Sequence, residues 1–367
     1  MEGDYIYTEN MTVGYGRTPL IRQIELHVKR GEIVTLIGPN GAGKSTILKT
    51  IIRQINLLDG AVYLDGTRME DMPEKQIATR MAMLMTERIH PELMTCEEVV
   101  STGRYPYTGR MGILGREDKK KVWEAMELVH GEELAARDFS EISDGQRQRI
   151  LLARAICQEP QVIVMDEPTS FLDIRHKLEL LTILKNLVRE RKVAVLMSLH
   201  ELDLAQKLSD YVVCVGRNTI ERCGIPEEIF TSSYIRELYG ISAGSYQAEL
   251  GCLEFERISG TPEVFVIGGN GTGIPVYRYL QRRGIPFAAG ILHENDRDYP
   301  VARALAAEVI GEKAFEPIGE TAYERAAAIL GGCKKMVCCL EQFGMMNEKN
   351  RQLAELGKEK ATDWKKL

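Results

Sequence analysis

Gly38-Pro39-Asn40-Gly41-Ala42-Gly43-Lys44-Ser45-Thr46 fits the pattern G-x-x-x-x-G-K-[ST] at every fixed position. The apolar run Ile33-Val34-Thr35-Leu36-Ile37 leads into it and reads as a buried strand. Ile47 to Ile52 beyond it reads as a helix. In that setting, backbone N–H groups along the glycine turn and at the helix N-terminus converge on one point and favour an anion there. Lys44 reaches the β- and γ-phosphates as a point charge, and the Ser45 hydroxyl ligates Mg²⁺. The stretch predicts a nucleoside triphosphate site with Mg²⁺ as its metal.

Outward from this loop, 367 residues suggest two domains rather than one core. A formal net charge of −6 gives no reason to expect nucleic acid as a partner. No apolar run approaches the ~18 residues that cross a bilayer. The acidic opening Met1-Glu2-Gly3-Asp4 lacks a signal-peptide pattern. The eight cysteines are scattered, several within apolar runs, and read as reduced thiols. Cys333, Cys338 and Cys339 cluster, but their spacing matches no zinc pattern.

Residues 1 to about 255 alternate short apolar runs with amphipathic stretches, an α/β pattern. Tyr5 to Val13 and Ile24 to Val28 read as antiparallel strands. Asp118 to His130 reads as a helix with Val122, Trp123, Met126 and Val129 on its apolar face, and Glu141 to Cys157 as another. Val162 to Met165 and Val193 to Met197 are short buried strands. A looser, glycine-containing region around 242–259 marks the boundary, and a second α/β pattern occupies 260–367.

The strand at Val162 ends in Asp166-Glu167-Pro168. An acid directly after a buried strand, in a chain with a phosphate loop, is the expected Mg²⁺-side carboxylate. Asp166 then holds the metal through water, and Glu167 polarises the attacking water as general base. Ser143-Asp144-Gly145-Gln146 opens the helix before that strand. Its serine cap and glycine build a second, incomplete anion site, so a pocket shared between two subunits is expected.

With these motifs in order, the chain resembles the ATP-binding subunit of ABC transporters over residues 1–255. Residues 38–46 match Walker A, 162–167 Walker B, and Ile142-Ser143-Asp144-Gly145-Gln146 the LSGGQ signature. Asp173 in Ser170-Phe171-Leu172-Asp173 matches the D-loop, and His200 the switch histidine. Tyr15 sits where this family stacks an aromatic on adenine. The resemblance implies an ABC-type P-loop fold, with a mixed-sheet core and antiparallel β and helical subdomains. It implies ATP as the nucleotide and two chains sandwiching two ATP molecules. Ser143, Gly145 and Gln146 of one chain then touch the γ-phosphate held by the other. Glu167 activates water, His200 steadies the γ-phosphate, and Asp173 communicates across the dimer.

Glu97 to Gly109, with Gly103-Arg104-Tyr105-Pro106, is similar to a segment of importer ATPases for ferric siderophores, haem and vitamin B12. That implies a peripheral subunit on the cytoplasmic face, gripping a membrane permease served by a substrate-binding protein. The alternative class is a soluble ATP-driven switch, which usually carries two ATPase units or a long coiled coil. Two departures stand out. Thr86, followed by Glu87, occupies the Q-loop glutamine position, and Asp144 replaces a signature glycine. A carboxylate near a triphosphate should weaken closure by repulsion.

Beyond Thr261 that resemblance ends. Val264-Phe265-Val266-Ile267 runs into Gly268-Gly269-Asn270-Gly271-Thr272-Gly273 and a helix, then a strand Phe287 to Leu292 ending near Glu294 and Asp296. A helix over Ala302 to Val309 and a strand over Lys335 to Leu340 complete a small Rossmann-like α/β unit. Ligands of such sheets bind at the carboxyl ends of the strands, where Gly268, Gly269, Asn270, Gly271 and Asp296 gather. A small-molecule sensor is the favoured reading, with dinucleotide binding and a structural contact as the others.

Overall fold

The structure is a computed structural model that describes residues 4–85, 93–109 and 112–367. The chain divides into two compact units, Met1–Phe230 and Thr231–Leu367.

In the first unit a six-stranded sheet carries the phosphate loop. Its strands lie in the order Ile220–Gly224, Tyr211–Val215, Ile33–Ile37, Ala194–Ser198, Val162–Met165, Met81–Leu84. All pairings are parallel except that of Ile220–Gly224. Ile33–Ile37 is buried at all five residues, which is why it reads as a continuous apolar run without alternation. Each fully buried aliphatic side chain there contributes about 1.5–3 kcal/mol. A second sheet is antiparallel, with Asp4–Tyr15 paired to Thr18–Ile24, His27–Lys29 and Asp59–Leu64. The short helix Lys44–Ile51 succeeds the loop and buries Ile47, Leu48 and Ile51.

The helical segment is made of Cys96–Ser101, Arg116–Leu128 and Asp144–Cys157. Asp144–Cys157 starts later than the expected Glu141, because Ser143 caps it and Gln146 reaches back in a capping box. Trp123, expected on the apolar face, is 41% exposed, whereas Val122 and Met126 are buried. An 18-residue helix, Ile174–Arg191, packs Leu180, Leu184 and Leu187 inward.

The second unit begins at Thr231, ahead of the looser region that marks the boundary in the sequence. Its early part, helix Ser232–Leu238 and the hairpin Ser245–Gln247/Cys252–Glu254, is tied to the sheet-bearing part of the same unit. Glu254 is only 7% exposed and is bound by Arg278 of the helix Ile274–Arg282. A four-stranded parallel sheet forms the centre, ordered Glu308–Glu312, Phe287–His293, Val264–Ile267, Lys335–Cys338. The expected helix over Ala302 to Val309 is cut short. The helix is Asp298–Leu305, and Val309 lies in the strand that pairs with Phe287–His293. The alanine-rich stretch at 302–307 favours helix locally, but edge pairing on the sheet wins. All eight cysteines are free thiols. Among the described residues, no group of His, Cys, Asp and Glu is placed to hold a metal ion.

Candidate active site

The phosphate loop leaves the carboxyl end of Ile33–Ile37 through three glycines with positive φ: Gly38 at 145°, Gly41 at 78° and Gly43 at 104°. These are angles L side chains rarely adopt. A Cβ at Gly38 would also run into the Val215 carbonyl. The amides of Gly43, Lys44 and Ser45 have no acceptor among the described residues, and they open the helix Lys44–Ile51. That is the donor nest a triphosphate needs. Lys44 is 5% exposed, and its Nζ donates to the carbonyls of Gly38 at 2.7 Å and Pro39 at 3.1 Å. Burial holds the Lys44 ammonium below the usual lysine range, against the pull of the Glu167 and Asp166 carboxylates. Tyr15 is 61% exposed, and its hydroxyl lies 3.2 Å from Thr46 Oγ1, so the aromatic stands open beside the loop. Asn40 and Ala42 complete the turn, closed by the Ala42 amide on the Pro39 carbonyl at 3.2 Å.

The acid end sits on the next strands. The Ser45 hydroxyl donates to Asp166 Oδ1 at 3.0 Å, and Ser198 Oγ donates to the same oxygen at 2.6 Å. Ser198 then accepts the Glu167 amide at 2.9 Å. Glu167 has φ 48°, an unfavourable angle for a long side chain. Its carboxylate is held on both sides, by His200 Nε2 at Oε1 and by the Ser170 hydroxyl at Oε2, 3.1 Å away. Ser45, Asp166, Ser198, Glu167, Ser170 and His200 thus form one connected set at the carboxyl edge of the sheet. Ser198 escapes a reading of the sequence, because a serine ending a strand carries no pattern of its own.

At the signature turn, Gln146 N–H donates to Ser143 Oγ at 3.3 Å while Gln146 Oε1 accepts the Ser143 amide at 3.1 Å. Asp144 does not face outward as bare charge. Its Oδ1 accepts Arg147 Nη1 at 2.7 Å, so the repulsion expected from this carboxylate is offset by its own helix. Asp173 caps the helix Ile174–Arg191. Nearby, Lys177 Nζ and Thr169 Oγ1 bind Glu201 at 2.5 and 2.9 Å, next to His200. Burial pushes the Glu201 carboxyl up, but those two partners outweigh it and leave it low. Thr86 and Glu87 lie outside the described residues.

The Gly103-Arg104 segment proves to be a staple. A Cβ at Gly103 would strike the Arg154 carbonyl. Arg104 is 5% exposed and donates to Asp118 at 3.0 Å, the Cys157 carbonyl at 2.8 Å and Glu159 at 2.9 Å. It also lies over the Tyr107 ring at 3.9 Å. Tyr105 stays exposed beside a groove of about 910 Å³ lined by Ile52, Met69, Ile77, Met83 and Pro106 among others.

The second glycine loop is brought together with Asp296, but it is closed. Asn270 N–H donates to both Asp296 oxygens at 2.9 Å. The Gly273 and Ile274 amides, which open the helix Ile274–Arg282, are taken by Asp298 at 2.9 and 3.3 Å. Asp298 is fully buried. Burial raises its carboxyl above the usual aspartate range, although the Gly273, Gly269 and Ile274 amides pull it back. The Tyr277 hydroxyl fills the space beside Gly268 and Gly273, where a Cβ on residue 268 would fall 2.5 Å from it. Gly268 and Gly273 therefore serve internal packing, and the chain's own carboxylates accept the Asn270, Gly273 and Ile274 amides.

Fold and first site together define an ABC-type ATPase. A family model for the ABC transporter matches residues 21–170, and one for the MJ0874 family matches residues 287–363. The ABC transporter ATP-binding protein MJ0873 of Methanocaldococcus jannaschii is 41% identical over 286 residues, 78% of this chain and 99% of its own length. The iron(3+)-hydroxamate import ATP-binding protein FhuC of Bacillus subtilis is 37% identical over 236 residues, covering 64% of this chain and 88% of FhuC. The chain belongs to the ABC transporter ATP-binding proteins. Among solved structures, the dimeric ATP-binding cassette MJ0796 with ADP and phosphate is 25% identical, with a TM-score of 0.53 over 60% of this chain and 98% of the cassette. A metal-chelate type ABC transporter in an inward-facing conformation shares the fold at 23% identity and TM-score 0.57, over 64% of this chain and 88% of that one.

Proposed function

We propose that this chain is the ATP-hydrolysing subunit of an importer for metal chelates: ferric siderophores, haem or corrinoids. It works as a homodimer on the cytoplasmic face of a membrane permease. The observation that carries the chemistry is the connected set Ser45, Asp166, Ser198, Glu167 and His200 at the mouth of the phosphate loop. The substrate class rests on relatives named for iron-hydroxamate and ferric enterobactin transport.

ATP lies on the amides of residues 43–45 with Lys44 on its phosphates, and Tyr15 covers the adenine. Ser45 Oγ and Asp166 Oδ1 are hard oxygen donors of the kind Mg²⁺ takes, and the ion neutralises phosphate charge when bound. Glu167 accepts a proton from the attacking water. His200 and Ser170 hold its two oxygens in place for that transfer. Ser143, Gly145 and Gln146 of the second copy complete the pocket, so ATP is the contact that closes the dimer. Closure moves the groove beside Tyr105, which docks the permease. No described helix is long and apolar enough to cross a membrane, in keeping with a peripheral subunit.

The C-terminal unit serves as a small-molecule sensor, with its ligand not on the closed amides of the glycine loop but in the open hollow of about 310 Å³ beside it, lined by Asn270, His293, Asp296, Arg297, Phe315 and Met346. Uptake of radiolabelled ferric siderophore, haem and cobalamin by cells lacking this chain tests the reading. Uptake of one of them returns with the wild-type chain and not with Glu167→Gln. Full uptake of all three without the chain, or equal rescue by Glu167→Gln, would contradict it.

A further inference from the structure

His176 stands between the D-loop Asp173 and the signature Gly145, which on the proposed function both meet the second copy's nucleotide. It lies in the first turn of the helix Ile174–Arg191, whose cap is the D-loop Asp173. Its amide donates to Asp173 Oδ1 at 2.9 Å, and its ring Nδ1 lies 2.8 Å from the same oxygen. A carboxylate only accepts, so Nδ1 carries the proton. The ring covers the signature glycine. A Cβ on residue 145 would fall 2.6 Å from His176 Cγ and 2.8 Å from Cδ2 and Nδ1. Residue 145 is therefore glycine for a packing reason as well as an anion-binding one. Asp173, His176 and Gly145 make a short chain of direct contacts, a hydrogen bond at one end and van der Waals closure at the other.

We infer that His176 is a positioning residue that locks the D-loop Asp173 and the signature Gly145 into one rigid body. The two motifs then meet the second copy's ATP together. This rests on the dimeric reading of the proposed function. Removing the ring frees Asp173 to turn and lets the signature turn shift beneath it, while the phosphate loop of the same chain is untouched. The two contacts can be separated. Asn at position 176 keeps an N–H donor for Asp173 but not the ring on Gly145.

The test uses the full chain. His176→Ala is expected to lower kcat for ATP hydrolysis by about 10- to 100-fold, the range for small misplacements of a reacting group. The dissociation constant for ATP, measured under non-hydrolysing conditions at concentrations where the chain is monomeric, stays within about twofold, because that binding uses residues 38–46. In a Glu167→Gln background, ATP-induced dimerisation weakens with His176→Ala and is recovered only in part by His176→Asn, which restores the Asp173 contact but not the cover on Gly145. Unchanged kcat and dimerisation in His176→Ala would overturn the inference. So would a parallel loss of ATP affinity and melting temperature, which marks a merely structural residue. Absence of hydrolysis and dimerisation in the wild-type chain would instead strike the functional reading on which the inference rests.

Discussion

Both units run a buried parallel strand into glycines and then a helix: Ile33–Ile37 into Gly38–Gly43, and Val264–Ile267 into Gly268–Gly273. On paper the two stretches look like variations on one device. In the structure they part over a single question, what accepts the amides at the helix start. In the first loop the amides of residues 43–45 are without acceptors among the described residues, and the nearby carboxylates Asp166 and Glu167 are tied to Ser45, Ser198, Ser170 and His200. In the second, Asp296 and Asp298 reach into the loop and take the amides themselves. A helix N-terminus attracts an anion from wherever one is available, and an aspartate on the neighbouring loop arrives before any ligand.

The largest effect should come from the first loop. Lys44→Ala is expected to lower ATP hydrolysis by about a hundred- to a thousandfold, the scale on which one aligned donor to developing phosphate charge is felt. Steady-state kinetics on the full chain measure it, and turnover within a factor of a few of wild type would break the comparison. Next in size, Asp298→Ala strips the acceptor from the buried Gly273 amide and the half-buried Ile274 amide and should destabilise the second unit by about 1–3 kcal/mol. Denaturant melts read this loss.

Gly268→Ala comes next. Its Cβ would press on the Tyr277 hydroxyl, and about 1–3 kcal/mol is expected for overpacking, with ATP affinity unchanged. A smaller effect should appear with pH. Burial raises the Asp298 carboxyl, so the folded unit holds that proton to higher pH than the unfolded chain does. Stability from this group is therefore full below the ordinary aspartate range and declines as pH rises through the raised value. Asp298→Asn should flatten that slope, and an unchanged slope would show that Asp298 does not set it. Smallest is Tyr277→Phe. The Tyr277 hydroxyl is buried with no hydrogen-bond partner among the described residues, so its removal should leave stability unchanged or raise it by up to about 1 kcal/mol. A loss above that would reveal a partner for the hydroxyl.

The legible parts of the chain are those where one short stretch makes the whole device. Residues 38–46 and 162–167 announce their chemistry because strand, turn and ligand groups are contiguous, and Ser143 with Gln146 carries its capping box in four residues. The hidden parts join distant segments. Ser198 links Asp166 to the Glu167 backbone from another strand. Arg104 gathers Asp118 and Glu159, and His176 covers Gly145, through contacts that no local pattern records. The second glycine loop hides its partners for the same reason. Its glycines suggest a ligand, while the aspartates that fill it lie on a distant part of the chain. Asp296 reads in the sequence as an acid near a ligand, and in the structure both its oxygens accept the Asn270 amide.

Calorimetric titration of the full chain with ATP under non-hydrolysing conditions, beside Lys44→Ala, tests the contrast between the two loops most directly. The account predicts one nucleotide per wild-type chain, its binding abolished or strongly weakened in Lys44→Ala, and no binding of NAD to either protein. ATP binding that persists unchanged in Lys44→Ala, or a second nucleotide per chain, would contradict it.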